Sequence, residues 1–227
     1  MVKLEIIPLS DTIGAEVRGV YLALPVAPEI AARLQSAWHD HVVLLFRDQN
    51  LTDAHLKAST GWLGQMSEIT MPTDRRGDDD PAIALVSNIL NAAGQPIGAL
   101  GDGDMWFHHD NSFTAEPDSA TFLYAVELPS HGGNTLFGNG YLAYEALPDR
   151  LRHQIEGRRV LQVYDYTVRE KPDLDNLGSV PNHWQPAVVK HPVTGKSALY
   201  VDRLMSAAIE GLSRKDSDAL LEDIFPY

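Results

Sequence analysis

The chain has 227 residues, 44% hydrophobic and 22% charged, which predicts a soluble globular protein with one domain over residues 1–227, or two small domains as the alternative. Its 31 acidic and 18 basic residues give a formal charge of −13, which argues against nucleic acid or an anionic membrane as the main partner, because both require a basic surface. Because cysteine is absent, disulfides, thiolate metal sites and a cysteine nucleophile are excluded, and a metal would need histidine and carboxylate ligands.

The sequence predicts neither membrane insertion nor secretion. The longest unbroken run of aliphatic and aromatic residues covers 42–46, far short of the roughly 20 residues that a helix needs to span a bilayer. The N-terminus lacks the hydrophobic stretch of a signal peptide. These features predict a cytoplasmic protein.

Hydrophobic periodicity predicts both helices and strands in the first part of the chain. Ile30, Leu34 and Trp38 recur at helical spacing, and Thr52 is well placed to cap a later helix. The predicted elements are a strand at 4–9, a helix at 29–41, a buried strand at 42–46, a helix after Thr52 and a strand at 82–86, with loops at 71–81 and 91–103.

Short strands separated by turns dominate the rest of the chain. The predicted elements are a strand at 119–128, a glycine turn at 131–137 that leads into another strand, helices at 141–147 and 148–156, a strand at 160–164, a loop at 169–184, a hairpin of 187–189 with 197–201, and a helix capped by Ser213. Parallel βαβ alternation is not evident. The pattern favours an α+β protein with a jelly-roll-like β core and helices on its outside.

The candidate site is the segment Met105–Phe113, which contains the pattern His108-His109-Asp110. On an extended strand, residues i and i+2 point to the same side, so the His108 imidazole and the Asp110 carboxylate would converge while His109 points to the opposite face. These are two of the three ligands of the 2-His-1-carboxylate site of non-haem Fe(II) oxygenases. The alternative is a hydrogen-bonded surface pair, since so short a pattern also occurs by chance.

Several separated motifs, in the same order, resemble the taurine dioxygenase/2,4-D dioxygenase (TauD/TfdA) family of Fe(II)- and 2-oxoglutarate-dependent enzymes. Val42–Gln49 reads VVLLFRDQ, similar to the family's strand, and Trp106–Phe113 matches the region of the His-x-Asp ligands. Gly132–Phe137 reads GGNTLF, with asparagine where the family usually has aspartate, and His191–Lys196 is also similar. The resemblance extends along the whole chain.

The resemblance implies a role for individual residues. His108 and Asp110 would be the iron ligands, and Thr135 would hydrogen-bond the 2-oxoglutarate carboxylate. Because Asp110 provides the carboxylate ligand, hydroxylation is expected rather than halogenation. The candidate substrate-binding residues are Asp104 and Met105, and more weakly Asn88 and Leu204.

The resemblance also implies a fold, a reaction and an assembly. The fold would be a double-stranded β-helix (a jelly roll, cupin-like) with flanking helices. Fe(II), 2-oxoglutarate and O2 would hydroxylate a C–H bond of a small substrate, with release of succinate and CO2. The substrate class would be a sulfonate, sulfate ester, aryloxyalkanoate or amino-acid derivative, and Arg75, Arg76, Lys190 and Arg203 could pair with its anionic group. Dimers or tetramers are usual among the relatives, so a homo-oligomer is expected.

The family's second histidine ligand and the arginine that binds 2-oxoglutarate are expected near the C-terminal end of the fold, and no histidine follows His191. His183 and His191 match non-ligand positions of the family, and His131 is expected to be exposed at the glycine turn, so all three are rejected as substitutes. The sequence therefore predicts a chain that lacks the C-terminal strands of the family, through truncation or incompleteness.

Two other functions are alternatives. A non-catalytic jelly-roll protein would follow if the chain truly ends at Tyr227, because the site would then lack ligands. A hydrolase or isomerase on the same scaffold is disfavoured, because no Ser-His-Asp or glutamate-based arrangement suggests one. Substrate choice is expected to depend on the loops at 71–81, 91–104 and 168–184.

Overall fold

The computed structural model describes residues 3–67, 83–100, 105–164 and 173–227. The strands are β1 Glu5–Pro8, β2 Ala15–Arg18, β3 Leu44–Phe46, β4 Val86–Ser87, β5 Ala99–Leu100, β6 Arg159–Val163, β7 Asn182–Pro186, β8 Val188–Lys190, β9 Ser197–Leu199 and β10 Ser206–Ile209. The helices are α1 Pro28–His41, α2 Asp53–Thr60, α3 Gly140–Ala146, α4 Asp149–Ile155 and α5 Arg214–Ile224. Among these helices, none is long and apolar enough to cross a membrane.

The chain divides into two compact units, each taken as far as it is described. The first contains residues 1–7, 15–38 and 44–105, and the second contains residues 8–14, 39–43 and 106–227. His108 and Asp110 belong to the second unit. The prediction of a single domain stays a prediction.

The first unit is built on a three-stranded sheet in the order β1-β2-β3. Leu34 of α1 is fully buried and packs with Leu4 and Val17, so the helix covers the sheet with the apolar stripe that its sequence predicted. Strands β2 and β3 are parallel, with Ala15 opposite Leu44. The sequence-based view that βαβ alternation is not evident was therefore wrong here, because strands of three or four residues leave little periodicity to detect.

Helix α2 begins where its cap was predicted. The Thr52 side chain accepts a hydrogen bond from the His55 backbone N–H, and the His55 ring accepts one from the Thr52 backbone N–H. This reciprocal pair satisfies two donors that the first turn would otherwise leave unbonded. The predicted loop at 71–81 lies outside the described residues.

The second unit is built on an antiparallel sheet in the order β10-β6-β7. Helices α4 and α5 pack against a core shared with this sheet and with β9. The fully or almost fully buried members of that core include Leu151, Ile155, Val160, Leu221 and Ile224. Ser213 caps α5 by accepting a hydrogen bond from the Asp216 N–H, as the sequence predicted.

Two predicted strands of the second unit are not strands in the structure. Residues 119–128 and 131–137 carry no strand assignment, although the side chains at 121–125 alternate between exposed and half-buried. Leu123, Val126 and Leu136 are largely exposed. An alternating pattern is compatible with a strand, but whether a strand forms depends on how the backbone pairs in the tertiary structure.

The predicted loop at 169–184 was wrong at its C-terminal end, where β7 begins. Its residues 182–184 are Asn-His-Trp, polar enough to suggest a loop, yet His183 pairs with Gln162 of β6. The partner strand decided this assignment. The part of the predicted loop at 169–172 lies outside the described residues.

Strands β8 and β9 form the predicted antiparallel hairpin, with Val188 opposite Leu199. His191 organises its turn, because its Nδ1 accepts hydrogen bonds from the backbone N–H groups of Val193 and Thr194. Burial of the ring, reinforced by the neighbouring His39 and Lys196, lowers the pKa of His191. The ring is therefore held in its neutral form, with a structural role in the turn.

The turn predicts a pH dependence of stability. The pKa of His191 in the folded protein lies below its ordinary value of 6.5. The contribution of neutral His191 to the free energy of unfolding is therefore complete above pH 6.5 and is lost as the pH falls through the lowered pKa. His191→Asn, whose amide oxygen can accept the same N–H bonds, is expected to reduce the fall in unfolding free energy between neutral and mildly acidic pH. Urea unfolding across that range measures it, and parallel profiles for the two proteins would contradict the assignment.

Candidate active site

The His-x-Asp segment has no regular secondary structure up to His109 and then turns. Residues 110–113 form a turn in which Asn111 has a positive φ of 53°. The Thr114 N–H donates to the Asn111 carbonyl at 3.0 Å, which closes the turn. The prediction of a β-strand here was wrong, because no neighbouring strand pairs with the described residues of this segment.

His108 and Asp110 nevertheless converge. The His108 Nε2 lies 3.2 Å from Asp110 Oδ1, with the two side chains 24% and 45% exposed. Two ligands at about 2.1 Å from a metal and at right angles to each other lie about 3.0 Å apart. The pair therefore has the separation of two adjacent ligands and is open to solvent.

The surroundings of the His108 ring favour a positive charge at its Nε2. Its Nδ1 lies 2.9 Å from the Trp106 carbonyl oxygen, so acceptors face both ring nitrogens. Hydrogen bonding to Asp110, against the opposing effect of burial and with help from the Trp106 carbonyl, raises the pKa of His108. A metal at Nε2 would satisfy the same geometry as the proton, with Nδ1–H donating to the carbonyl. The pair thus supplies two donors of the kind that a divalent cation binds.

Thr121, and not His108, holds the second carboxylate oxygen of Asp110. Thr121 Oγ1 donates to Asp110 Oδ2 at 2.7 Å, which leaves Oδ1 directed at His108. The hydrogen bond with His108, against the effect of burial and with help from Thr121, lowers the pKa of Asp110. Asp110 is thus an ionised carboxylate with one oxygen fixed. The sequence analysis missed Thr121, which no motif marks.

Side chains after the pair anchor the segment to the β10-β6-β7 sheet and its connections. The fully buried Ser112 donates its hydroxyl to Met205 Sδ at 3.2 Å. Gln185 of β7 donates to the Thr114 carbonyl at 2.6 Å. Because these contacts join positions far apart in sequence, only the tertiary structure could reveal them.

His109 faces a different set of residues from its two neighbours. Its Nδ1 lies 3.1 Å from Oδ2 of the buried Asp202, and its ring packs on Tyr200 with centroids 4.4 Å apart. Burial, with the nearby charges of Asp202, Asp110 and others, raises the pKa of Tyr200 to about 12. Tyr200 is therefore a neutral phenol beside the pair.

None of the contacts given above joins the other predicted site residues to His108 or Asp110. Thr135 lies in the exposed stretch 131–138, and Asn88 is exposed next to β4. Met105 is half-buried at the start of the candidate segment, and Leu204 is half-buried between Asp202 and Met205. Asp104 lies outside the described residues.

The rejected histidines occupy other places. His131 is exposed beside Ser130, and His183 lies in β7. Arg203, a candidate for an anionic group, already contacts Glu222 at 3.2 Å and stacks on Phe225. Among the described residues, no group of three histidine, aspartate or glutamate side chains could hold a metal.

Comparisons with known proteins show which family the chain belongs to. The family model "Taurine catabolism dioxygenase TauD, TfdA family" matches residues 5–227. A pentalenolactone F synthase of Streptomyces avermitilis is 29% identical over 95% of this chain and 76% of its own length. An alpha-ketoglutarate-dependent sulfate ester dioxygenase of Pseudomonas putida is 28% identical over 96% of this chain and 72% of its own length.

A Schizosaccharomyces pombe protein, provisionally named an alpha-ketoglutarate-dependent sulfonate dioxygenase, is 35% identical over 126 residues, which are 54% of this chain and 32% of its own length. This chain thus spans about a third of that relative.

Solved structures show the same fold. A taurine dioxygenase from Burkholderia xenovorans superposes with a TM-score of 0.78 at 29% identity, over 97% of this chain and 71% of its own. AAD-2, solved with Mn(II) and N-oxalylglycine, superposes with a TM-score of 0.69 at 25% identity, over 98% of this chain and 78% of its own. The family match covers almost the whole sequence. The chain therefore belongs to the TauD/TfdA family of alpha-ketoglutarate-dependent dioxygenases.

Proposed function

We propose that this protein hydroxylates a C–H bond of a small, anionic organic substrate, using Fe(II), 2-oxoglutarate and O2. The observation that carries the proposal is the approach of His108 Nε2 to Asp110 Oδ1 at 3.2 Å, the spacing of two adjacent metal ligands. The membership of the chain in a dioxygenase family supports the same chemistry. A sulfonate or a sulfate ester is the substrate class that the names of two relatives favour, and the family resemblance also allows an aryloxyalkanoate or an amino-acid derivative.

Each residue of the pair has a defined task in this proposal. His108 would bind the metal through Nε2, while its Nδ1–H donates to the Trp106 carbonyl and fixes the ring. Asp110 would bind through Oδ1, while the Thr121 hydroxyl holds Oδ2. When bound, Fe(II) with 2-oxoglutarate and O2 supplies the oxidising chemistry, which releases succinate and CO2.

The roles of the other residues in the proposed site come from the family resemblance. Thr135 would hydrogen-bond the 2-oxoglutarate carboxylate, and Met105, Asp104, Asn88 and Leu204 would border the substrate. The second histidine ligand and the 2-oxoglutarate-binding arginine also stay predictions, as do the jelly-roll core and the homo-oligomer. The intact mass of the purified protein would show whether the protein used in the assays has the mass of this sequence.

The test is an anaerobic titration of the purified protein with Fe(II) and 2-oxoglutarate. A weak visible charge-transfer band is expected when both bind, and it should disappear in His108→Ala. His131→Ala, which removes an exposed histidine whose ring contacts Ser130, is the matched control and should keep the band. No band in the wild-type protein would contradict the proposal and favour a non-catalytic binding protein.

Thr121 provides a graded prediction. Thr121→Val removes the hydroxyl that holds Asp110 Oδ2, so the carboxylate can rotate away from His108. We expect the dissociation constant of Mn(II), followed by electron paramagnetic resonance, to rise by about tenfold, the lower end for residues that orient a ligand. Thr121→Ser keeps the hydroxyl and should recover most of the affinity. Equal affinities for the Val and Ser variants would show that the hydrogen bond does not matter.

A further inference from the structure

His109, the residue between the two candidate ligands, is held by a contact with the buried Asp202. The buried Asp202 has two carboxylate oxygens to satisfy, since an unpaired buried carboxylate is costly. Its Oδ1 accepts from the Met205 N–H at 2.8 Å, and its Oδ2 lies 3.1 Å from His109 Nδ1. Because an ionised carboxylate only accepts, His109 donates through Nδ1.

The backbone of Asp202 is itself held by a chain of partly buried hydrogen bonds. Its backbone N–H donates to Ser206 Oγ at 3.0 Å, and that hydroxyl donates to Gln162 Oε1 at 3.3 Å. Gln162 is fully buried in the central strand β6, and its Nε2 donates to the Tyr200 carbonyl at 3.1 Å. The position of the Asp202 carboxylate is therefore determined by the sheet.

His109 is fixed on a second side by Tyr200, whose ring lies 4.4 Å from its own, centroid to centroid. The backbone of His109 joins the residue that carries Nε2 to the residue that carries Oδ1. A rotation about that backbone would separate His108 from Asp110, because only one residue lies between them. Holding the His109 side chain thus restricts the spacing of the pair.

We propose that His109 is a positioning residue, which through its hydrogen bond to Asp202 sets the relative placement of His108 and Asp110. The inference rests on the proposed function in that it treats His108 and Asp110 as metal ligands. The hydrogen bond and the spacing of the pair exist without the metal, so they can be tested separately.

The first measurement is the dissociation constant of Mn(II) for the full chain, at one fixed pH, by electron paramagnetic resonance. His109→Ala is expected to weaken binding by about tenfold to a hundredfold. His109→Asn places an amide donor where Nδ1 was and should recover most of the affinity. The exposed His153→Ala is the matched control and should bind as the wild type does.

A double-mutant cycle separates positioning from the charge of Asp202. Asp202→Asn removes a negative charge near the cation in any background, and it also changes the partner of His109. Asp202→Asn should change the Mn(II) affinity less in the His109→Ala background than in the wild type. The difference between the two changes is the part of the effect that acts through His109. Additive effects, or unchanged affinity in His109→Ala, would overturn the proposal.

A metal-free readout distinguishes this inference from the proposed function. Long-range ¹H–¹⁵N spectra of the histidine rings report the hydrogen bonding of His108 in the apo protein. His109→Ala should shift the His108 ring signals, and His109→Asn should restore them. If wild-type protein binds no Mn(II), the metal assignment fails, and these signals alone decide: a shift with restoration supports positioning by His109, and unchanged signals overturn it.

Discussion

His108→Ala is expected to abolish measurable metal binding and to lower turnover by at least about a thousandfold, more than the tenfold to hundredfold typical of residues that only support a ligand. The variant removes the imidazole, whose Nε2 lies 3.2 Å from Asp110 Oδ1 and is the proposed metal-binding nitrogen. The measurements are Mn(II) binding by electron paramagnetic resonance and succinate release in the presence of 2-oxoglutarate.

Asp110→Ala should give the same result, because a single remaining ligand cannot hold the cation in an exposed position. The fold should persist in both variants, since neither side chain belongs to the buried core. His131→Ala controls for the loss of a histidine as such. Retention of metal binding in both His108→Ala and Asp110→Ala would move the site elsewhere in the protein.

Ile155→Ala is expected to have the largest effect on stability, about 2–5 kcal/mol of unfolding free energy. Ile155 is fully buried at the end of α4, in the core that α4 and α5 share with the sheet of the second unit. The smaller side chain would leave a cavity that the surrounding helices and strands close only in part. Urea unfolding followed by far-UV circular dichroism measures the change.

His153→Ala on the same helix is the control, because His153 is exposed and should change stability by less than about 0.5 kcal/mol. The two variants also separate stability from site geometry. Under conditions in which Ile155→Ala remains folded, its affinity for Mn(II) should equal that of the wild type. A loss of affinity in the folded Ile155→Ala protein would mean that this core sets the placement of the ligand pair directly.

The two outcomes follow from different parts of the second unit. His108 and Asp110 are held by contacts around their own segment, whereas Ile155 contributes to the core beneath α4 and α5. Contacts such as Ser112 to Met205 connect the segment to the sheet region. Metal affinity should therefore respond to changes near the segment, and global stability to changes in the core.

The sequence by itself determined the features whose causes are local. Helical spacing predicted α1, hydroxyl caps predicted the starts of α2 and α5, and the turn at 191–196 predicted the β8–β9 hairpin. The cause in each case lies within a few residues of the element. The pattern at 108–110 likewise marked the candidate ligands, because side chains this close in sequence can meet by backbone geometry alone.

Only the tertiary structure decided which partners those residues meet. It placed Asp110 of the candidate segment in a turn, gave 119–128 no strand assignment, paired the polar β7 with β6, and brought β2 parallel to β3. It also joined His109 to Asp202 and Thr121 to Asp110. Strand pairing and hydrogen bonds across 11 or 93 positions depend on where distant backbone comes to lie, and that placement leaves no local pattern to read.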